Sequence, residues 1–249
     1  NASEATQMPF DTKQRVLENI ERETKTQRKS FKLRYVAAAI VLLFVMIGGY
    51  TWYAMSNATV RHYATITVKP GQKASAVLPD GTRIDLNGGT NLCYDVVPGE
   101  RREVVLNSGE AFFDVAKDAN CPFHVRVKGM QVEVLGTRFN VKTTRERVET
   151  ALFSGAVRLT ANNLNRPYRM KPGQKAVYTA DTAALRCMPN DLHRDAGWRE
   201  GYLVFSSTPL DDVLQQIANW YGVQLQLARP RIGGDLLTGS FYNETLESV

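Results

Sequence analysis

The chain of 249 residues is poor in the side chains that most often build metal and redox centres. It has three cysteines and three histidines, and neither set is clustered. Cys93, Cys121 and Cys187 show no C-x-x-C spacing, and His62, His124 and His193 stand far apart. A sequence-local zinc or iron–sulfur site is therefore excluded. Three is an odd number, so at least one thiol is unpaired within the chain. A Cys93–Cys121 disulfide stays open if this part is extracytoplasmic, and buried free thiols are the preferred reading. Glycine (18) and proline (10) are too few for a collagen-like or low-complexity chain. With 43% hydrophobic and 22% charged residues, a fully disordered chain is excluded too. Also missing are G-x-S-x-G, H-E-x-x-H and the Walker and Rossmann glycine patterns. We expect no cofactor, no metal and no enzyme.

Acidic residues are fewer than basic ones, 25 against 31, for a net charge of +6. The excess is scattered, whereas nucleic-acid binders gather Lys and Arg on one face or in one run. Direct nucleic-acid binding is not expected.

Charge is absent altogether from residues 35–60. This stretch has a dense apolar centre, Val36-Ala-Ala-Ala-Ile-Val-Leu-Leu-Phe-Val-Met-Ile47, followed by Tyr50, Trp52 and Tyr53 where an interfacial aromatic belt would lie. About 20 helical residues span a bilayer core of roughly 30 Å. A buried core helix seldom stays charge-free for so long, and a cleaved signal peptide would begin nearer the start. We read a retained single span. Lys25, Arg28, Lys29, Lys32 and Arg34 crowd its N-terminal side, against Arg61 alone close on the far side. The positive-inside rule puts the N-terminus in the cytoplasm and the rest outside, in the periplasm of a Gram-negative cell.

Four regions follow. Residues 1–34 form a cytoplasmic juxtamembrane stub, with Val16, Leu17 and Ile20 on one face of a helix capped by Asp11. A start at Asn1-Ala2 without Met fits a boundary inside a longer protein. Residues 35–60 are the transmembrane region. Residues 61–180 carry short runs of period two, such as Phe123, Val125 and Val127 against His124, Arg126 and Lys128. Asp80-Gly81, Asn87-Gly88-Gly89, Pro98-Gly99 and Ser154-Gly155 close such runs, so an all-β domain is expected, a sandwich or a roll of short strands. Lys69-Pro-Gly-Gln-Lys-Ala74 recurs as Lys171-Pro-Gly-Gln-Lys-Ala176, and Pro-Gly suits a type II turn in both. Residues 181–249 read as a small α+β module of order β-α-β-β-α. It has a strand at 202–205, and a helix with Thr208 as N-cap and Pro209 as its first residue. Strands follow at 223–227 and 236–242, and then a helix in which the chain stops. A last helical turn and a covering strand are expected beyond Val249.

Four ordered stretches carry a resemblance. They are Leu78-Pro-Asp-Gly-Thr-Arg-Ile-Asp-Leu86, Gly109-Glu-Ala-Phe-Phe-Asp-Val115, Pro122-Phe-His-Val125 and Val134-Leu-Gly-Thr-Arg-Phe-Asn-Val141. Together they resemble the FecR-type family of anti-sigma factors. The region from Trp198-Arg-Glu-Gly-Tyr-Leu-Val-Phe205 to Leu246 is similar to the C-terminal module of Bacteroidetes members, itself like the short signalling domain of secretins and TonB-dependent transporters. The resemblance covers roughly residues 8–249. It implies an inner-membrane regulator that holds an extracytoplasmic-function sigma factor on the cytoplasmic side. On the periplasmic side it would sense the signalling domain of an outer-membrane TonB-dependent transporter. The alternative is a membrane-tethered β-domain that binds a glycan or iron-chelate directly.

Candidate sites are sparse. Some relatives self-cleave at the bond that Gly136-Thr137 would supply here, by attack of the Thr hydroxyl on the preceding carbonyl. A glycine marking a bulge is the simpler reading, and we prefer it. Asp80 and Asp85 read as a turn residue and an outward strand residue. Phe112, Phe113, Phe123 and Phe139 are core candidates, as are Leu203, Phe205, Leu210, Leu214 and Ile217 in the module. Val223, Leu225 and Leu227 are the candidate partner-binding edge, open to β-augmentation.

Overall fold

The structure, a computed structural model, describes residues 38–53, 63–161, 164–182, 184–225 and 234–249. It divides into two units, residues 1–60 and 61–249.

In the first unit, residues 38–53 form one helix, α1, uncharged and exposed at every position. Phe44 is 72% exposed and Trp52 79%. Sixteen residues at 1.5 Å each reach about 24 Å, less than the roughly 30 Å of a bilayer core. Among the described residues, no helix is long and apolar enough to cross a membrane. The helix expected after Asp11 lies outside the described residues.

The second unit is mainly β. Its strands are β1 (Ala64–Thr67), β2 (Ala74–Val77), β3 (Arg83–Leu86), β4 (Asn91–Val97), β5 (Arg101–Asp114), β6 (Phe123–Val127) and β7 (Met130–Val134). They continue with β8 (Arg138–Thr143), β9 (Arg147–Ser154), β10 (Val157–Ala161), β11 (Tyr168–Met170), β12 (Gln174–Thr179) and β13 (Ala184–Pro189). All thirteen belong to one curled sheet. The long strand β5 makes the curl. Its first half lies between β4 and β6, its second half between β3 and β8. The half-sheet β1-β4-β5-β6-β7-β10-β11 thus passes into the half-sheet β2-β3-β5-β8-β9-β12-β13 along a single chain. Of the two forms expected, the roll is the one found.

β5 changes partners at Gly109, where its pairing with β8 begins, and Gly109 has φ +89°. A Cβ there would stand 2.5 Å from Thr90 Cα, in the backbone of the neighbouring strand connection. Gly109→Ala should therefore cost about 2–4 kcal/mol, from the positive φ and the clash together. Urea denaturation should show a lower midpoint at an unchanged slope.

Turn chemistry follows the sequence. Gly81 (φ +84°) ends the hairpin turn between β2 and β3, and its N–H donates to Leu78 O at 2.9 Å. The two Lys-Pro-Gly-Gln copies form the same turn. Gln72 N donates to Lys69 O and Gln174 N to Lys171 O, both at 3.2 Å, with Gly71 and Gly173 at positive φ.

Alternation sends Ile84, Leu86, Val104, Leu106, Val125, Val132, Val141 and Leu152 inward. At the centre Phe113 stacks on Phe139 (5.0 Å) and meets Phe123 edge-on (6.2 Å). Phe112 is also buried, but on the opposite face, against Phe153. All three cysteines are free. Cys121 is buried, whereas Cys93 is half-buried and Cys187 exposed, so burial is the rule for one thiol only.

The sheet runs past residue 180, because β13 pairs with β12 along its whole length. Next come a short helix, α2 (Leu192–Ala196), and a 3-10 turn (Gly197–Glu200). The module proper holds β14 (Tyr202–Pro209), α3 (Leu210–Tyr221) and β15 (Leu236–Tyr242), with β14 and β15 antiparallel. Thr208 is not the cap of α3. Its hydroxyl accepts from Ser206 N at 3.1 Å, and Pro209 holds the cap position without a side-chain bond. Gly222 ends α3 in a left-handed conformation, with its N–H on Ala218 O. Residues 223–225 have no regular structure, and 226–227 lie outside the described residues. The last helix is a 3-10 turn, Leu246–Ser248. Leu203, Phe205 and Val213 form the module core with Leu210 and Ile217 packed on it, whereas Leu214 lines a cavity instead.

Candidate functional site

Strand register places side chains distant in sequence in one row on the outer face of the second half-sheet. Ser75, Asp85, Phe112, Asn140, Ala151, Lys175 and Met188 are successive cross-strand partners. A second row holds Glu110, Lys142, Glu149 and Val177. On an antiparallel sheet such a face often looks to water. Here α2, the 3-10 turn and the module cover it.

Polar groups make the cover. Asp191 caps α2 by accepting from His193 N and Arg194 N, and α2 presents Asp195 to the sheet. Lys175 Nζ lies 2.7 Å from Asp195 Oδ1 and pairs with Glu149 on its other side. Burial alone would lower the Lys175 pKa, but Glu149 and then Asp195 outweigh it and hold the ammonium above the ordinary lysine value. Burial would raise the Glu149 pKa, but Lys175, with Lys142 and Arg147, holds it below the ordinary carboxylate value. Trp198 is 5% exposed and donates from Nε1 to Asn140 Oδ1 at 3.2 Å. Asn140 Nδ2 donates in turn to Glu110 Oε1 at 2.8 Å. Arg199 lies over the Phe112 ring, 4.0 Å from its centroid, and its Nε donates to Asp85 Oδ2 at 2.7 Å. Lys73 donates to the Trp198 carbonyl, and burial lowers its pKa with Glu110 partly offsetting.

Two cavities flank this contact. One, of about 200 Å³, is lined by Glu149, Lys175, Asp195 and Asp212. The other, of about 620 Å³, is lined by Trp198, Tyr202, Leu214 and Trp220. Mutually satisfied ion pairs fit the first for holding two parts of one chain together. Among the described residues, no group of three or more His, Cys, Asp or Glu is placed to hold a metal.

The expected site residues fall elsewhere. Gly136 sits in the link between β7 and β8, and a Cβ there would come within 2.8 Å of Lys117 Cα. That close approach explains the glycine, and the bulge itself falls two residues later, between Arg138 and Phe139. Thr137 is buried, and its hydroxyl donates to Ala156 O at 3.0 Å. Asp85 faces outward as expected but is covered by Arg199. Asp80 is a turn residue as expected, and its side chain is only 5% exposed. Val223 and Leu225 lie in irregular backbone after α3, and Leu227 is outside the described residues. Asp195, Trp198 and Arg199 went unrecognised as site residues. The signal for them was the unbroken Ala111-Phe112-Phe113 run, which asks for burial on both faces of β5.

Comparison with known proteins agrees with this architecture. The model of the FecR protein family matches residues 64–158, and that of the FecR C-terminal region matches residues 202–249. No curated protein sequence matches the chain. The fold is similar to a crystal structure of a candidate anti-sigma factor from Parabacteroides distasonis ATCC 8503 at 1.65 Å. That similarity has TM-score 0.68 and 29% identity, over 74% of this chain and 87% of that one. A second crystal structure under the same description, at 2.50 Å, gives TM-score 0.69 and 28% identity over 75% and 88%. With both regions of the family matched in order, on a fold shared with a candidate anti-sigma factor, the chain belongs to the FecR family of anti-sigma factors.

Proposed function

We propose that the chain is a single-pass inner-membrane regulator of an extracytoplasmic-function sigma factor, responding to a TonB-dependent outer-membrane transporter. In this reading residues 35–60 cross the membrane, the N-terminus is cytoplasmic and residues 61–249 are periplasmic. The sigma factor binds on the cytoplasmic side and the transporter's signalling domain on the periplasmic side. The chain acts by contact rather than by turnover, and Gly136-Thr137 stays uncut. Membership of the FecR family carries the proposal. The charge-free stretch and the five basic residues before it support the orientation. The apolar exposure of α1 supports a lipid environment for it. Val223, Leu225 and Leu227 form the proposed contact with the transporter domain.

Reporter fusions and capture test it together. A fusion after Val249 should report the periplasm. The purified chain should retain a transporter signalling domain, and Leu225→Asp should weaken that retention about tenfold. A cytosolic Val249, or melting shifted by glycan or iron-chelate with no protein captured, overturns the reading.

A further inference from the structure

Among the described residues, the second unit contains two hydrophobic cores that share no residue. One belongs to the curled sheet, the other to the module around Leu203, Phe205 and Val213. The segment between them is anchored to the sheet through Asp195 and Trp198, both buried. Beyond that anchor, polar contacts join module and sheet. Arg147 Nη2 lies 2.9 Å from Asp212 Oδ2, with the side chains 31% and 23% exposed. Lys142 Nζ donates to Gln216 Oε1 at 2.6 Å. Gly71 N donates to Asn219 O at 2.7 Å, and the Lys73 ammonium stands 4.1 Å from the Trp220 ring centroid. The chain passes from anchor to module at Gly201, in a left-handed conformation with φ +98°, and across that point the His193 ring stands 4.5 Å from the Tyr202 ring.

We propose that this contact is a releasable clamp. The module swings about Gly201 between a docked and a released form, while the anchor at Asp195 and Trp198 stays on the sheet. Three arguments support it. Contacts of this polar kind between separate cores permit relative motion. The Arg147–Asp212 pair is partly exposed and so weak by itself, and the other contacts are two hydrogen bonds and a cation–ring contact, so their sum is reversible. Release divides neither core, because the two share no residue, and one residue between packed elements suffices as a hinge. The clamp gives a partner that grips the module a way to change what the rest of the chain presents. It requires no assumption about who that partner is.

Spin labels on exposed Cys187 and on Ser240→Cys, with Cys93→Ser, would report the distance between sheet and module in the full chain. The docked form should dominate. Arg147→Glu should shift the docked-to-released ratio about fivefold toward release, since an attraction becomes a repulsion. Asp212→Arg in the same chain should restore it. An unmoved distance, or a shift that Asp212→Arg fails to restore, overturns the clamp. Should Arg147→Glu not fold, raising salt to about 1 M on the labelled chain decides. A growing long-distance population supports the clamp, and a constant distribution refutes it. No partner is needed, so the result is independent of the proposed sigma-factor and transporter contacts.

Discussion

Replacing Arg102 with Met should destabilise the β-domain by about 3–5 kcal/mol, the range for stripping a buried charge of its partner. Arg102 points into the core from β5, in phase with Val104 and Leu106, and its side chain is 1% exposed. Its Nε lies 3.0 Å from Asp80 Oδ2, off the hydrogen-bond line, so this contact is an ion pair. Its other nitrogens donate to Cys121 O at 3.2 Å and Ala116 O at 2.8 Å. Asp80 also accepts from Thr82 N and Thr82 Oγ1, which locks the β2–β3 turn. One guanidinium thus ties that turn to residues 116–121. Without it, the covered Asp80 carboxyl loses its charged partner and two carbonyls lose their donors. Urea denaturation of Arg102→Met should show the loss, and Asp80→Asn in the same chain should recover part of it. A loss under 1 kcal/mol would contradict this account.

Lys175→Met should have the next largest effect, about 3 kcal/mol at neutral pH, because Glu149 and Asp195 are left facing each other. The sign with pH follows from the shifts. The depressed pKa of Glu149 contributes stability above its unfolded value, and that contribution is lost as pH falls through the folded one. The raised pKa of Lys175 contributes stability below its unfolded value, lost only as pH rises through the folded one. In the variant the share of the Glu149 contribution that Lys175 supplies is lost, leaving only Lys142 and Arg147 against burial. The gap between the two proteins should therefore be widest near pH 7 and close in acid, where Glu149 is protonated in both. Thermal melts across pH 3–8 would check it, and a gap that widens toward pH 3 would contradict it.

Local chemistry was legible in the sequence, and long-range partnership mostly was not. Asp80-Gly81 and the two Pro-Gly turns could be read because turn geometry depends on adjacent residues. The strand at 236–242 could be read from its own pattern. That the Asp80 side chain is covered could not, since its partner lies on another strand. The one hint was Arg102 standing at an inward position. The end of the sheet was misplaced because β13 is exposed along most of its length and lacks clear alternation. Thr208 looked like a cap because Pro usually follows one, but the backbone there still belongs to β14. The covered face was the hardest to foresee. Its rows are assembled by register from seven strands, and Asp195, Trp198 and Arg199 reach it from a segment with no periodic signature.

The fourteen residues of β5 also set how this molecule can come apart. Because one strand is the common member of both half-sheets, neither half can melt while the other keeps its full hydrogen-bonded neighbourhood. A protease that nicked this strand would disable both halves at a stroke. Cuts in the hairpin tips, such as Lys128-Gly129, would leave the seam intact. Any signalling scheme that trims this protein in stages must therefore begin outside the sheet and spare its seam until the end.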